Sequence, residues 1–433
     1  MDLMGKIISL CKRRGFVYPG SEIYGGLANT WDYGPLGAEL KNNLKKEWWK
    51  NFVQKKAEIY GLDGGILLNP RIWEASGHVQ DFIDILVECL NCHKRFRLDH
   101  LKDVKKCPEC EGALSEPKKF VPMFKTFIGS VEDTASVAFL RPETAQAIFV
   151  NFKNIIDSFH PKLPFGIAQV GKAFRNEITL GNFIFRSLEF EQMEIEYFIH
   201  EENWEKDFEE WKKAMEDYIV NLGVKRENLS WRRHEDNELS HYSKRTEDLE
   251  FKFPFGLREL YGLAYRTDFD LKTHAKHSGQ ELSYKDANTN ESFVPHVIEP
   301  SMGVERTFLA ILVDAYEEED LGEKGTRTVL RLNPKIAPYK AAVFPLVANK
   351  EEIVGKAKEI FNMLILSFPV AFDDRGNIGK RYFSQDEIGT PWCVTVDYQT
   401  LEDDTVTVRD RDTTNQERIP IDKLVERFQN NLK

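Results

Sequence analysis

Leu36, Leu40, Leu44, Trp48 and Phe52 recur at every fourth position, which gathers their side chains into one apolar stripe on a helix. Gly34-Pro35 opens that helix with proline in its first turn, and Gly61 with Gly64-Gly65 breaks the pattern. Ile66-Leu67-Leu68-Asn69-Pro70 then reads as a strand closed by proline. A helix–strand unit of this kind serves equally as core packing or as a contact between subunits. Further on, apolar runs at 165–174, 183–198, 257–265 and 293–299 are bounded by turn residues and predict strands. Too few residues separate the first two runs for a crossover helix, so they pair antiparallel. Val304, Phe308, Ile311, Leu312 and Ala315 share one side of a buried helix over 304–316.

The segment from Leu332 to Pro338, with Pro334 and Pro338, marks a domain boundary. Beyond it the pattern alternates: strand 341–344, helix 351–367, strand 370–372, short helix 375–382, strands 392–396 and 405–409, closing helix 421–432. That rhythm predicts a separate α/β domain over 338–433. Two stretches of the larger domain, 1–335, read as insertions. One surrounds Cys89 to Cys110; the other, 200–250, is rich in Glu, Lys and Trp and begins as an amphipathic helix.

With 433 residues, 42% of them hydrophobic, the chain can bury two or three cores. No run approaches the roughly 18 apolar residues of a membrane span. Ile7-Ile8-Ser9-Leu10 is too short for a signal-peptide core, so a cytoplasmic protein is expected. The net charge of −11 weighs only slightly against a nucleic-acid partner, because a local basic face binds RNA on an acidic protein. Of six cysteines, Cys89-Leu90-Asn91-Cys92 and Cys107-Pro108-Glu109-Cys110 form two Cys-x-x-Cys knuckles fourteen residues apart. That spacing predicts a structural zinc ribbon, since four thiolates leave no open coordination position. Nearby Lys94, Arg95, Arg97, Lys105 and Lys106 either meet RNA or offset thiolate charge. Cys11 and Cys393 read as buried thiols.

Two distant segments carry the chemistry. Arg175 and Glu177 would share a strand face, and across a loop over 178–182 the returning strand puts Phe190, Gln192, Glu194 and Glu196 on one face. Such a charged face is either solvated or a site. In the second segment Glu299 would end a strand, Pro300 turn the chain and Gly303 start a helix with Arg306 in its first turn. An arginine there gains nothing from the helix dipole and calls for a phosphate or an aromatic base. Together the segments ask for an adenine nucleotide beside a small amine, as in ATP-driven activation of an amino acid.

These residues resemble class II aminoacyl-tRNA synthetases, specifically the glycyl-tRNA synthetases of the dimeric bacterial and eukaryotic type. The resemblance runs through Trp31-Asp32-Tyr33-Gly34-Pro35-Leu36-Gly37, Trp73-Glu74-Ala75-Ser76-Gly77-His78, Leu140-Arg141-Pro142-Glu143-Thr144-Ala145-Gln146, Phe174-Arg175-Asn176-Glu177, His241-Tyr242-Ser243, Tyr265-Arg266-Thr267-Asp268-Phe269-Asp270-Leu271 and Glu299 to Arg306. It implies an α+β catalytic domain on an antiparallel sheet over 1–335, a zinc-ribbon insertion at 85–118, a helical insertion at 200–250, and an α/β anticodon-binding domain over 338–433. It implies that Arg175 holds the α-phosphate of ATP, Arg186 the outer phosphates, and Glu177 the adenine amino group. Phe190 would lie under the adenine and Arg306 over it, with Asn176, Phe185, Glu259, Leu260 and Gly303 completing the ATP set. Glu143, Glu194, Glu299 and Ser301, beside Phe190, would surround the glycine ammonium. Mg²⁺ would accompany ATP, tRNA(Gly) would be the acceptor, and the helix–strand unit ending at Pro70 would join a homodimer. Position 305 carries Glu where many class II enzymes have a small residue.

The physics is consistent with those roles. Glycine offers an ammonium and no side chain, so carboxylates must converge on the ammonium, raising one another's pKa. Exclusion of a β-carbon supplies selectivity, since losing one methyl contact is worth only about 1–3 kcal/mol. In the C-terminal domain Arg375, Lys380 and Arg381 are candidates for RNA phosphates. Phe383 and Trp392 read as core, His78 as a structural hydrogen-bonder, and Glu317 to Asp320 as a solvated helix end. The rival reading is a non-catalytic relative that serves as a nucleic-acid-binding accessory subunit. Such a relative is expected to lose the arginines and carboxylates that are all present here.

Overall fold

The computed structural model describes residues 2–79, 84–98, 101, 103–130, 136–177, 181–286 and 289–432. Residues 178–180 of the anticipated hairpin loop lie outside them. A seven-stranded sheet organises the larger domain. Its order is Leu229–Arg233, Arg245–Phe253, Gly256–Thr267, His296–Gly303, Glu189–Ile199, Phe165–Phe174 and Ile59–Leu62. Every pairing is antiparallel except the last.

Alternation along these strands sends Met193, Ile195 and Met302 to one face, where they pack with helices Pro35–Trp49, Trp204–Asn221 and Val304–Ala315. The stripe Leu36, Leu40, Leu44, Trp48 and Phe52 lies wholly within this core. Those five residues therefore serve core packing, not a subunit contact. On the opposite face, helices Ala145–Phe159 and Phe269–Ser278 cover Phe165, Ile167, Phe198 and Val297. Beyond this apolar half, the same face carries Gln192, Glu194 and Ser301, all at least half-buried.

Several sequence expectations change. Residues 66–68 are not a strand; the strand of that unit is Ile59–Leu62, and Leu67 makes only an isolated bridge to Leu140. The Gly64 and Gly65 carbonyls accept from Arg141 Nη1 (2.8 and 3.1 Å), so a side chain replaces the ladder there. The 200–250 segment is helical over Trp204–Asn221, but Leu229–Arg233 and Arg245–Phe253 belong to the main sheet. Leu249, Phe251 and Phe253 already carry the two-residue period. Pro300 does not turn the chain: it sits inside His296–Gly303, opposite Leu263. The ladder toward Glu189–Ile199 skips Glu299 and Pro300, as a residue without an N–H requires. Glu317–Asp320 is no helix end either. Strand Tyr316–Asp320 pairs with Thr326–Leu330, and Glu319 bonds Arg327 (2.7 Å) across the hairpin.

The C-terminal domain is a five-stranded sheet, ordered Val370–Phe372, Ala341–Pro345, Trp392–Val396, Thr405–Asp410 and Gln416–Pro420, with the first three parallel. Helices Glu351–Ile365 and Leu424–Asn431 close a core of Val343, Ile360, Leu364, Trp392 and Phe428. Strand Gln416–Pro420 and helix Tyr398–Asp403 are additions to the expected pattern. Trp392 is buried as expected, but Phe383 is 41% exposed.

Candidate active site

The turn after Phe165–Phe174 and the strand-to-helix junction at Gly303 meet over the polar half of the sheet. Arg175, Glu177, Phe185, Arg186, Phe190, Glu259, Leu260, Ser301, Gly303 and Arg306 line one open cleft. The two distant arginines thus share a cavity. Arg175 and Glu177 lie just past the strand end at Phe174, not on a strand face. Arg175 Nε donates to the Pro142 carbonyl (3.0 Å), and its guanidinium stands 5.4 Å from the Phe190 ring centroid. Arg306 donates to the Glu259 carbonyl (3.1 Å), pairs with the Glu259 carboxylate (2.8 Å) and covers Phe185 at 4.6 Å. Two aromatic rings, each faced by a guanidinium, suit a flat π-system beside anionic groups. Asn176 is the exception: its N–H bonds the Pro122 carbonyl (2.8 Å), away from the cleft lining.

Glu305 proves internally neutralised. Lys41, on helix Pro35–Trp49, reaches its Oε1 at 2.6 Å and Glu191 at 2.7 Å, and the Glu191 N–H donates to Glu305 Oε2 (2.9 Å). Burial opposes the Lys41 charge, yet Glu305 and Glu191 outweigh it and raise its pKa. The unusual glutamate therefore ties two helices and a strand together at the wall of the cleft.

Ser301 leads from the cleft into an acidic pocket. Its hydroxyl donates to Glu194 Oε1 (2.8 Å), and the Thr144 hydroxyl donates to Glu194 Oε2. Glu143 accepts from Gln146 (3.0 Å) and lies 3.3 Å from His78 Nε2. His78 is also 2.8 Å from the Ser76 hydroxyl, which fits the structural role expected for it. Arg266 forks onto Asp270 (2.8 and 2.9 Å) and gives its remaining nitrogen to Glu299 (2.9 Å). Its guanidinium stacks 3.8 Å from the Tyr242 ring centroid.

Electrostatics separates these carboxyls. Burial pushes Glu299 up to about 8; Arg266 pulls the other way, and Glu194 and Glu143 reinforce the rise. Burial and the Glu143 charge likewise raise Glu194, against the Thr144 and Ser301 bonds. Burial also disfavours the Glu143 charge, but His78, Arg266 and Gln146 hold that carboxyl well below the usual range. A pocket so short of cations accepts one readily. Arg266, Asp270, Thr144, Gln146, Gln192 and Glu196 were not among the expected site residues. Arg266 and Asp270 stand four apart in a quoted motif, and Glu196 shares the Glu194 face, so both signals were in the chain.

Far from this cleft, the four cysteines cluster beside the sheet of Asp84–Glu88, Arg95–Arg97 and Lys118–Phe120, their sulfurs all within 4.8 Å of one another. Cys89–Cys110 is 3.5 Å and Cys92–Cys107 3.7 Å. Tetrahedral zinc with about 2.3 Å bonds sets sulfurs about 3.8 Å apart, so the donor set fits. The N–H groups of Asn91 and Glu109 point at Cys89 and Cys107 sulfurs (3.4 Å each), as suits thiolates. In the C-terminal domain Arg381 is not available to RNA: it is buried and donates to the Pro345, Asp374, Arg375 and Gly376 carbonyls. Arg375 and Lys380 remain exposed. Cys11 and Cys393 are buried thiols, as expected.

Family models match "tRNA synthetase class II core domain (G, H, P, S and T)" over residues 130–316 and "Anticodon binding domain" over 340–431. A prolyl-tRNA synthetase of Giardia lamblia solved with prolyl-adenylate superposes with a TM-score of 0.70 at 16% identity, covering 98% of this chain and 74% of that one. The fold is therefore that of a class II aminoacyl-tRNA synthetase. Curated glycine–tRNA ligases of Alkaliphilus oremlandii (51% identity, 99% of this chain, 98% of theirs) and Alkaliphilus metalliredigens (52%, 97% and 96%) match end to end. One from Thermobifida fusca does so at 51%, over 98% and 96%. The chain belongs to the glycine–tRNA ligase family.

Proposed function

We propose that this chain activates glycine with ATP and transfers it to the 3′ end of tRNA(Gly), with the cleft holding ATP and the acidic pocket holding the ammonium. The observation that carries this division of labour is Ser301, which lines the cleft and donates to Glu194 in the pocket. The amine is thereby set next to the phosphate-binding arginines. Arg175 holds the α-phosphate, where a guanidinium bonds in a bidentate way. Arg186 takes the outer phosphates, Phe190 and Arg306 enclose the adenine, and Glu177 accepts from its amino group. Glu143, Glu194, Glu299 and Ser301 gather the ammonium. The glycine carboxylate attacks the α-phosphorus in line, pyrophosphate leaves, and the terminal ribose hydroxyl of the tRNA attacks the adenylate. Positioned charge supplies most of the rate.

The carboxylate of Glu259, 46% exposed at the cleft, is a suitable hard oxygen donor that would hold Mg²⁺ beside ATP, where the ion would neutralise phosphate charge. Cys89, Cys92, Cys107 and Cys110 would hold a structural Zn²⁺ that fixes the ribbon. No described helix is long and apolar enough to cross a membrane. A cytoplasmic homodimer suits the chain: Ile23 and Tyr24 stand 90% and 88% exposed, as apolar groups awaiting a partner surface do. Glycine-dependent ATP–pyrophosphate exchange tests the reaction. Zinc-replete, folded protein without exchange would refute it, and metal analysis should find about one zinc per chain.

A further inference from the structure

Glu196 belongs to the same acidic cluster, beside Glu194 on its own strand and Glu299 on the next. It is fully buried, and among the described residues neither of its carboxyl oxygens has a hydrogen-bond partner. One oxygen from each of Glu194, Glu196 and Glu299 lies within 4.8 Å of the others. Their nearby cation, Arg266 on Gly256–Thr267, is already committed to Asp270 on helix Phe269–Ser278 and to Glu299. Beneath lie apolar Ile167, Phe165 and Phe198. An unpaired, unsolvated carboxylate in that position is prohibitively costly, whereas a neutral acid is tolerable.

We infer that Glu196 is a positioning residue that enters the empty pocket as a neutral acid and releases its proton to solvent when an ammonium group takes up the countercharge. The carboxyl O–H breaks, the proton passes to buffer, and the resulting carboxylate joins Glu194 and Glu299 around the cation. Burial and the Glu299 charge raise the Glu196 pKa, against Arg266, with Glu194 and Asp270 adding to the rise. Proton release makes amine binding tighten as pH rises, whereas a pocket whose carboxylates are already ionised gains nothing from the rise. This rests on the acidic pocket being the ammonium site.

Isothermal titration calorimetry of the full chain with 5′-O-(glycylsulfamoyl)adenosine, in phosphate and in Tris at pH 7, counts the protons. The wild type should release at least about one proton per site, Glu299 adding to the release from Glu196, and affinity should rise about tenfold or more per pH unit from pH 6 toward pH 8. The glycolyl analogue, with hydroxyl replacing ammonium, should release none. Glu196→Gln should release about one proton fewer than the wild type on binding the glycyl analogue, any remainder coming from Glu299. Wild-type binding without release, equal release with the glycolyl analogue, or unchanged release in Glu196→Gln each overturns the inference; the first two need no variant. If Glu194→Gln weakens neither analogue, the ammonium-site reading itself fails. If it selectively weakens the glycyl compound while the wild type releases no proton, only the role of Glu196 falls.

Discussion

Two buried charge clusters behave in opposite ways. At the junction of the domains Asp386 is fully buried and takes Arg327 at 2.8 Å and both Arg409 nitrogens at 2.8 and 3.0 Å. Arg327 comes from strand Thr326–Leu330 and continues to Glu319, so every charge there meets a protein partner. In the acidic pocket Glu143, Glu194, Glu196 and Glu299 face few cations among the described residues, and Glu196 meets no donor among them. A cluster that closes on itself fastens a structure; one left short of countercharge waits for a ligand.

The largest expected effect concerns the closed cluster. Asp386→Ala strands two buried guanidinium groups and should cost about 3–5 kcal/mol in urea unfolding, while folded protein keeps glycine-dependent exchange. If exchange disappears in the folded fraction, the two clusters are not separable. Glu194→Gln should do the reverse, cutting exchange about 100-fold or more with little change in unfolding midpoint. Arg175→Ala should lose exchange similarly with the fold kept, because its guanidinium faces the cleft; near-normal exchange would refute its phosphate role.

A smaller effect lies in pH. Glu299, near 8 when folded, binds more protons folded than unfolded between its ordinary value and about 8. Its stabilising contribution is whole at low pH and is lost as pH rises through about 8. The melting temperature of the free protein should therefore fall between about pH 5 and 8 and level off above, and a bound glycyl-adenylate analogue should reduce that fall; parallel curves would contradict it. The smallest is Arg375→Ala. Arg375 is exposed and pairs only with nearby Asp373 in the bonds described, so stability should change by less than about 0.5 kcal/mol, with weaker tRNA binding at low salt as the readout.

Much of the site was legible because its chemistry is local. Arg175 with Glu177, Phe190 with Glu194, and Glu299 with Arg306 sit within short segments whose residue types announce phosphate, aromatic stacking and a cation. Both Cys-x-x-Cys knuckles are equally local, and strand Phe165–Phe174 and the stripe from Leu36 to Phe52 follow from periodicity. The errors arose where a long-range partner overrode the local pattern. Pro300 persists inside a central strand because one ladder skips it. Glu317 to Glu319 became a strand because arginines wait opposite. Arg381, which looked like a phosphate binder, is drawn inward by four carbonyls.

By itself the chain determined which residue types were available for ATP and an amine, because those types cluster in short motifs. Only the tertiary structure decided how charge is balanced around them. It placed Lys41 against Glu305, spent Arg266 on Asp270 and Glu299, and left Glu196 without a hydrogen-bond partner among the described residues. Electrostatic energy depends on distance and burial between residues far apart in sequence, and those quantities exist only once the strands have paired.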